Sequence, residues 1–545
     1  MPKPEYSATI VTKLDVAIVG GGHNGLVCAS YLGRAGLKVG VYERRPLVGG
    51  PVVTEELWPG FQVSVAAFWM SLLQPRIMID LDLRRRGIEV LATPAGLQPF
   101  ADGSSLVFWE DQARMVEEIR RFSVADAAAY PGFVAHMAGL MPYLRRLLFE
   151  VPVDPSSGRL ADLARTVALV WRFRDLGSRV HDILDLLTLS AHDFLRRWFS
   201  SETMLTAFGC YASGSGGNMS PKTPGSAYVL VRPLLRDGST AAGPGGLVRG
   251  GIGSVSRALR NAAEEAGVAI HVNSPVERIE TSAGRACGLL LAGGERVEAA
   301  TVVANANAKT VFLRLIDPAA LPAPFIQAVA RIRTESSCFK INVAARQLPA
   351  WSAWISRGLA SHPGSVTIAE NLDELENAFE AARRGRMAPA PYLWILAPSA
   401  FDDSVAPPGQ HVLSIFGGHV PYALRGREWD EGARAELFAI VMRQIERYAP
   451  GFERHVIHRQ VLVPPDLERM FDLPGGHVHH GELSLDQIFS RRPVAGHADY
   501  RSPIRGLYLC GASTHPGGGV TGVPGFNVAG VILGDLGLRR QANPS

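Results

Sequence analysis

Cysteine is scarce in this chain of 545 residues: there are five, and no two of them form a C-x-x-C pair. A thioredoxin-like dithiol is therefore excluded, and scattered cysteines favour a reducing compartment. Residues 1–13 lack the apolar segment of a secretory leader and leave little room for an Arg-rich transit helix. We therefore expect a cytoplasmic protein. The five cysteines are Cys28, Cys210, Cys287, Cys338 and Cys510.

Charge is also sparse, because only 19% of the residues are Asp, Glu, Lys or Arg. The 55 basic and 51 acidic residues leave a net charge of +4, and no block of five or six like charges occurs. A nucleic-acid-binding surface needs concentrated positive charge, so we predict no nucleic-acid partner.

The chain has no uninterrupted membrane-spanning run. Residues 506–534 contain no charged side chain, which by itself suggests a span, but they include nine glycines and two prolines. This composition favours a buried segment that brings bare backbone close to a flat or charged group.

Glycine is abundant near both ends of the chain. Residues 14–19 form an apolar run with one acid, which is typical of a strand in a parallel sheet. A helix predicted over 24–35 follows, and its first N–H groups favour a phosphate. Glu43 lies at the position where an acidic residue binds the ribose hydroxyls of a dinucleotide. A glycine turn that binds no ligand would not explain an acid at this position. The G-x-G-x-x-G turn of this dinucleotide-binding unit consists of Gly20, Gly22 and Gly25.

NAD and FAD both fit this unit, and the rest of the chain favours FAD. The run ERRPLVGG, which follows Tyr42, resembles the E-R-x-x-x-x-G-G extension of glutathione-reductase-like and amine-oxidase-like flavoproteins. Residues 245–276 resemble the segment that re-enters the FAD domain in these proteins. A strand at 507–510 and a glycine-rich run resemble the flavin-facing end, and a terminal helix is predicted over 526–537.

Together, GGGHNGL, HGELSLDQIF at 480–489 and LYLCGASTHPGGGVTG at 507–522 resemble the phytoene-desaturase-like FAD-dependent oxidoreductases. The branch with the greatest similarity is that of pyridine nucleotide-disulfide oxidoreductase domain-containing protein 2 and its bacterial relatives. Carotenoid desaturases, carotenoid isomerases and retinol saturases are related to it. The resemblance implies noncovalent FAD, held by Gly20, Gly22, His23, Asn24, Gly25, Glu43, Arg44, Gly49, Gly50, Val276, Gly511, Gly519, Val520 and Gly522.

The expected fold class is α/β, with a Rossmann-like FAD-binding domain interleaved with an α+β substrate domain. We predict the FAD-binding domain at 1–75, 240–310 and 490–545, and the substrate or cap domain at 76–239 and 311–489. Within the latter, helices are predicted at 112–122, 126–150, 160–175, 180–198 and 431–448, a loop at 203–226, and strands at 335–345, 391–397, 410–417 and 455–463.

Catalytic candidates lie in the two C-terminal motifs. His480 and Glu482 either form a proton-transfer pair or brace a turn. His515 would lie near the flavin and position its ring. The histidines of HVHH at 477–480 hint at a metal, but no carboxylate spacing completes a site, so we predict no metal.

We expect an enzyme that acts on an apolar or unsaturated organic molecule by hydride transfer to or from flavin N5, in a site that needs few reactive side chains. The alternatives are a non-redox isomerase or hydratase that uses reduced FAD, and a flavin-bearing interaction protein without activity. A second nucleotide domain is not evident. Four aromatic residues either wall the site or pack a core: Trp351, Trp354, Trp394 and Phe416.

Apolar residues recur at helical spacing over 160–198, beside several arginines. They form either a cap that packs on the substrate domain or a weak membrane-surface contact, in which Arg165, Arg172, Arg174 and Arg179 would face anionic lipid. The sequence gives no prediction of the oligomeric state.

Overall fold

The computed structural model describes residues 13–214, 218–235 and 246–540. The predicted domain boundary at residue 240 and the first residue of the predicted glycine loop, 245, lie outside these ranges. In the described ranges the strands are β1 (Leu14–Val19), β2 (Val39–Tyr42), β3 (Thr54–Trp58), β4 (Phe61–Ser64), β5 (Gly96–Pro99), β6 (Ser105–Phe108), β7 (Ala269–His271), β8 (Val276–Ser282), β9 (Arg285–Leu291), β10 (Arg296–Ala304), β11 (Cys338–Ala345), β12 (Val366–Ile368), β13 (Tyr392–Leu396), β14 (His411–Gly418), β15 (Val456–Leu462) and β16 (Leu507–Leu509).

Short 3-10 turns join several of the helices. The α-helices of the same ranges are α1 (His23–Arg34), α2 (Pro75–Asp80), α3 (Gln112–Arg120), α4 (Val124–Leu148), α5 (Leu160–Arg172), α6 (Arg179–Thr188), α7 (Ala191–Leu195), α8 (Glu202–Gly209), α9 (Tyr211–Gly214), α10 (Ala227–Val231), α11 (Gly253–Glu265), α12 (Ala308–Thr310), α13 (Ala323–Ala330), α14 (Ser352–Ser356), α15 (Leu372–Arg383), α16 (Glu431–Tyr448), α17 (Pro464–Phe471) and α18 (Val523–Asp535).

The first sheet is Rossmann-like. Its parallel strands run in the order β7-β2-β1-β10-β16, and the antiparallel pair β9–β8 continues from β10. The central strand β1 is buried at five of its six residues, as expected for a strand covered on both faces. Helix α1 packs against α11 and α18. Segments from the beginning, the middle and the end of the chain therefore build one sheet.

The second sheet is mainly antiparallel, in the order β15-β11-β14-β13-β12-β5-β6. Helix α16 covers one face, with Leu437, Val441 and Ile445 in the shared core. Because β5 and β6 come from far earlier in the chain than the other strands, this sheet is also discontinuous. The two sheets confirm the expected α/β class, with a Rossmann-like part interleaved with an α+β part. The domain boundaries themselves stay a prediction.

The predicted loop at 203–226 was wrong over its first half, which folds into α8 and α9. Ser201 starts α8, because its hydroxyl accepts the Met204 N–H, and apolar side chains that follow are buried. The helix predicted at 180–198 divides into α6 and α7, because Ser190 caps a new helix by accepting the Asp193 N–H at 3.0 Å. Within the described residues, no helix has the length and apolar character needed to cross a membrane.

Candidate active site

A cavity of about 1100 Å³ connects the two sheets. At one end it meets the carboxyl ends of β1 and β2, and at the other it reaches β13, β14 and the helices α4, α8 and α10. We call the first part the cofactor end and the second part the chamber. Residues that line the chamber include Phe133, Met137, Met141, Phe208, Tyr392, Trp394 and Phe416.

The glycine turn at the cofactor end requires glycine for steric reasons. Gly20 has φ +93°, a conformation that residues with a side chain rarely adopt. A Cβ on Gly25 would lie 2.5 Å from the Gly20 carbonyl oxygen. Gly22 caps α1 without a side-chain hydrogen bond, so the first N–H groups of this helix are left for a ligand.

Glu43 is buried at the end of β2 and lines the cavity. Its Oε2 accepts the Gly21 N–H at 2.8 Å, and its Oε1 accepts the Arg45 N–H at 2.9 Å. One carboxylate therefore holds both the glycine turn and the segment after β2, and remains at the cavity wall as an acceptor for hydroxyl groups.

The C-terminal glycine run borders the same cavity through Gly519. A Cβ on Gly518 would lie 2.2 Å from the Cα of His479, so only glycine lets the two segments meet. Gly522 has φ +73° and begins α18. Burial lowers the pKa of His23 to about 4, an effect partly opposed by a hydrogen bond to the Gly519 backbone.

The predicted cofactor residues fall into two groups. Some support the backbone behind the cavity wall: Gly25, Gly49, Gly511 and Gly522. The others line the cavity directly: Gly20, Gly22, His23, Asn24, Glu43, Arg44, Gly50, Val276, Gly519 and Val520.

The three catalytic candidates are not brought together. His480 lines the cavity, and burial, with the nearby Arg492 and His23, lowers its pKa to about 3. The carboxylate of Glu482 instead pairs with Arg333 outside the cavity lining. His515 also lies outside the lining, with its Nε2 2.9 Å from the Leu147 carbonyl oxygen.

Of the four aromatic residues singled out in the sequence, two line the cavity and two pack in a hydrophobic core. Trp394 and Phe416 line the chamber, whereas Trp351 and Trp354 pack in the core of the second sheet. Among the described residues, no group of three His, Cys, Asp or Glu side chains is arranged to hold a metal ion.

Sequence reasoning missed Lys340, which lies on β11 and lines the cavity. Its side chain is fully buried, its Nζ lies 5.1 Å from the centre of the Phe68 ring, and it donates a hydrogen bond to Asn342 Oδ1. Burial holds its pKa well below the usual range. A single lysine inside the apolar run CFKINVAA was the signal that could have found it.

The cofactor end fits FAD. The uncapped start of α1 suits a diphosphate, Glu43 suits ribose hydroxyls, and Gly519 presents backbone without a side chain to a flat ring at the cavity wall. Two buried side-chain atoms there, His23 Nε2 and Asn24 Oδ1, have no hydrogen-bond partner in the described part of the chain and could bind a ligand.

Comparison with known proteins agrees with this geometry. Residues 25–526 match the family described as flavin containing amine oxidoreductase. Pyridine nucleotide-disulfide oxidoreductase domain-containing protein 2 of Rattus norvegicus is 37% identical, with 98% of this chain and 94% of that protein covered. A limonene dehydrogenase polypeptide of Castellaniella defragrans is 27% identical (97% and 96% covered), and the zeta-carotene-forming phytoene desaturase of Myxococcus xanthus is 26% identical (93% and 91% covered).

Solved structures show the same fold at lower identity. An oxidoreductase from Methanosarcina mazei has a TM-score of 0.58 at 17% identity, with 96% of this chain and 100% of that chain covered. Cyclohexylamine oxidase from Brevibacterium oxydans has a TM-score of 0.56 at 16% identity, with 96% and 100% covered. The chain belongs to the flavin-containing amine oxidoreductase family. It is an FAD-dependent oxidoreductase with phytoene-desaturase-like relatives.

Proposed function

We propose that this enzyme removes or adds hydrogen at a carbon–carbon bond of an apolar or unsaturated small molecule, by hydride transfer to or from flavin N5. The observation that carries this proposal is the continuity of the cofactor end with a chamber walled by aromatic and aliphatic side chains. Bound FAD supplies the two-electron acceptor or donor. The chamber residues align the substrate and exclude water.

The charges of the cavity wall argue against a cationic amine as substrate. The carboxylates among its described lining residues are Glu43 and Asp472. Glu43 accepts two backbone N–H groups, and Asp472 pairs with Arg314 at 2.8 Å. The chamber thus offers no free carboxylate to an ammonium group within the described residues, and burying that charge unpaired is costly.

Hydrogen removal from a carbon–carbon bond also releases a proton, which needs an acceptor near the bond. His480 has a pKa of about 3 and would hold that proton poorly at neutral pH. Lys340 has a lowered pKa, so its Nζ is closer to the neutral amine that a base requires. We therefore assign proton acceptance to Lys340 Nζ and a positioning role to His480.

The test is an anaerobic reaction with oxidised enzyme, in which bleaching of the visible flavin band is followed. The panel of compounds with an apolar body contains limonene, phytoene, a long-chain unsaturated alcohol and decanoate, with cyclohexylamine as the cationic control. Bleaching by an apolar compound, but not by the amine, supports the proposal. Turnover that requires reduced flavin and yields an isomer or a hydrate without net electron transfer would favour the non-redox alternative.

We further propose that α5 contacts a membrane surface from which an apolar substrate could enter. Its exposed apolar stripe consists of Leu160, Leu163, Val167, Val170 and Trp171. The four arginines expected to face anionic lipid all have partners within the protein: Arg165 pairs with Asp162, Arg172 pairs with Glu150, Arg174 stacks on Trp171, and Arg179 donates to the Tyr143 hydroxyl. Apolar burial rather than charge would therefore drive the contact.

Pelleting with phosphatidylcholine vesicles tests this contact. We expect the protein to bind these vesicles, and we expect added phosphatidylglycerol to strengthen the binding only slightly. The double substitution Leu163→Ser and Val167→Ser should weaken the binding. Ile355→Ser, at an exposed position on α14, is the matched control. Binding that requires anionic lipid, or that both variants retain, contradicts the proposal.

A further inference from the structure

Arg232 is a buried cation at the boundary between the cofactor end and the chamber. It directly follows α10, is 6% exposed and lines the cavity. Its Nη2 donates to the Gly518 carbonyl oxygen, which fixes the guanidinium beside the C-terminal glycine run. Its Nη1 is buried and has no hydrogen-bond partner among the residues that the structure describes.

No carboxylate among the described residues pairs with this guanidinium. The other fully buried arginine nearby, Arg492, differs because its N–H groups reach the carbonyl oxygens of His479, Glu482, Gln487 and Ala512. Arg232 keeps an unused donor, although a buried guanidinium normally has its N–H groups paired. Burial lowers the pKa of Arg232 from its usual value, as expected for a cation without a counter-ion.

Apolar side chains surround the position on the chamber side. Val231, Pro233 and Leu234 line the cavity next to Arg232 in the chain, and Met137 and Met141 line it from α4. The unpaired Nη1 of Arg232 and the apolar wall of the chamber together suit a ligand with an anionic group for Arg232 and an apolar body for the chamber. Guanidinium groups recognise carboxylates in particular, through paired N–H···O bonds.

We propose that Arg232 binds the carboxylate of an amphipathic acid substrate, whose apolar body extends into the chamber. This rests on the proposed function, because it narrows the substrate class of the same site. The carboxylate would lie beside Gly518, so that the reacting carbons are those near the acid group. Hydrocarbons without a polar group would leave the Nη1 donor unpaired.

Calorimetric titration of the oxidised FAD-loaded enzyme tests the proposal without turnover. The probes are decanoate, decanol and decylamine, which share one chain length. We expect decanoate to bind at least tenfold more tightly than decanol, and decylamine to bind most weakly. Equal affinity for the acid and the alcohol would overturn the proposal. Because this comparison needs no variant and no chemistry, it stands or fails independently of the flavin-bleaching experiment.

Arg232→Met should weaken decanoate binding about ten- to a hundredfold and leave decanol binding unchanged, since hydrogen bonds to charged groups contribute on that scale. Arg232→Lys should recover part of the loss. Arg314→Met is the matched control, because Arg314 lines the same cavity but its guanidinium is paired with Asp472 at 2.8 Å.

The anion could instead be the reduced cofactor. Arg232→Met would then lower the flavin reduction potential and leave decanoate affinity unchanged, a result that overturns the substrate assignment. Retained FAD content and an unchanged melting temperature show that the variant is folded. If it does not fold, the probe series on the unmodified enzyme decides.

Discussion

The carboxylate of Glu43 accepts the backbone N–H of Gly21 at 2.8 Å, and so joins the end of β2 to the glycine turn after β1. Its other oxygen accepts the Arg45 N–H at 2.9 Å. The residue expected from its spacing to be a ribose ligand thus also holds the turn in shape. A substitution there has two effects, one on the cofactor and one on the apoprotein.

Glu43→Ala should weaken FAD binding about ten- to a hundredfold, because charge-assisted hydrogen bonds contribute about 1.5–3 kcal/mol. It should also lower the melting temperature of the apoprotein, because the Gly21 N–H loses its partner. Titration of apoprotein with FAD and a thermal scan measure the two effects. Asp15→Ala is the control, since the Asp15 carboxylate accepts the Lys38 N–H at 2.7 Å and neither residue lines the cavity. Unchanged FAD affinity in Glu43→Ala would remove this residue from the cofactor site.

Local motifs carried most of what the sequence could predict. The glycine turn, α1 and Glu43 lie within 30 residues of one another, and each is specified by backbone sterics or by a short spacing. The second sheet was harder to predict, because β5 pairs with β12 across more than 250 residues and no turn chemistry signals that pairing. Strand order of this kind is decided by packing.

Contacts between residues far apart in the chain account for the other features that could not be predicted from the sequence. Nothing near Glu482 in the sequence points to Arg333, which pairs with it. Cys28 and Cys510 are far apart in sequence, yet their thiols interact in the core, where burial holds the pKa of Cys510 well above its usual range. Arg232 and Lys340 were missed because a single basic residue in an apolar run is normally expected to be exposed to solvent. Only the structure shows that these two side chains are buried.

FAD should be released intact when the purified protein is denatured. The described cysteines other than Cys287 are buried, and Cys28 and Cys510 pack behind the glycine turn rather than in the cavity wall. Chromatography of the supernatant after acid or heat denaturation measures the release. Yellow colour that stays with the precipitated protein would indicate a covalent link, and His23 and His480 would then be the lining residues to examine.

Lys340→Met should slow anaerobic flavin reduction about 10²–10⁴-fold, the range of a general base, and leave FAD affinity within a few-fold. His480→Ala should have a smaller effect, because an imidazole with a pKa of about 3 is a weak base at neutral pH. Stopped-flow absorbance measures both rates. Trp351→Phe is the control, as it alters a buried side chain outside the cavity. A larger loss in His480→Ala than in Lys340→Met would reverse the two assignments.

Arg333→Gln and Glu482→Gln should both destabilise the protein by about 1 kcal/mol and leave flavin reduction nearly unchanged, since their ion pair is partly exposed and lies outside the cavity lining. Arg333 also donates to Asp486, and this lowers the pKa of Asp486 to about 2. A carboxyl with a depressed pKa stabilises the fold above its unfolded value of 3.8, and this contribution is lost as the pH falls towards 2. The free energy of unfolding should therefore fall less steeply with decreasing pH in Arg333→Gln than in the unmodified protein, and chemical denaturation at several pH values measures this. A loss of flavin reduction beyond about a thousandfold in Glu482→Gln, with FAD retained, would instead make Glu482 catalytic.

Buried histidines should make the protein sensitive to mild acid, before the carboxylates titrate. Burial lowers the pKa of His362 and His515 to about 4, and that of His419 and His477 to about 3, against an ordinary value of 6.5. Their neutral forms are required in the fold: His362 Nε2, for example, accepts the Trp351 indole N–H at 3.1 Å.

Below pH 6.5 the unfolded chain takes up protons that the folded chain does not. The free energy of unfolding should therefore fall by about 1 kcal/mol per histidine for each pH unit between about 6 and 4. Denaturation of the apoprotein at each pH measures the slope, and proton uptake on unfolding gives it independently. His362→Gln should reduce the slope by the share of one histidine, whereas His181→Ala, at an exposed position on α6, should leave it unchanged. A stability that is flat from pH 6.5 to about 5 would show that these imidazoles are protonated in the folded protein, and that their burial does not keep them neutral.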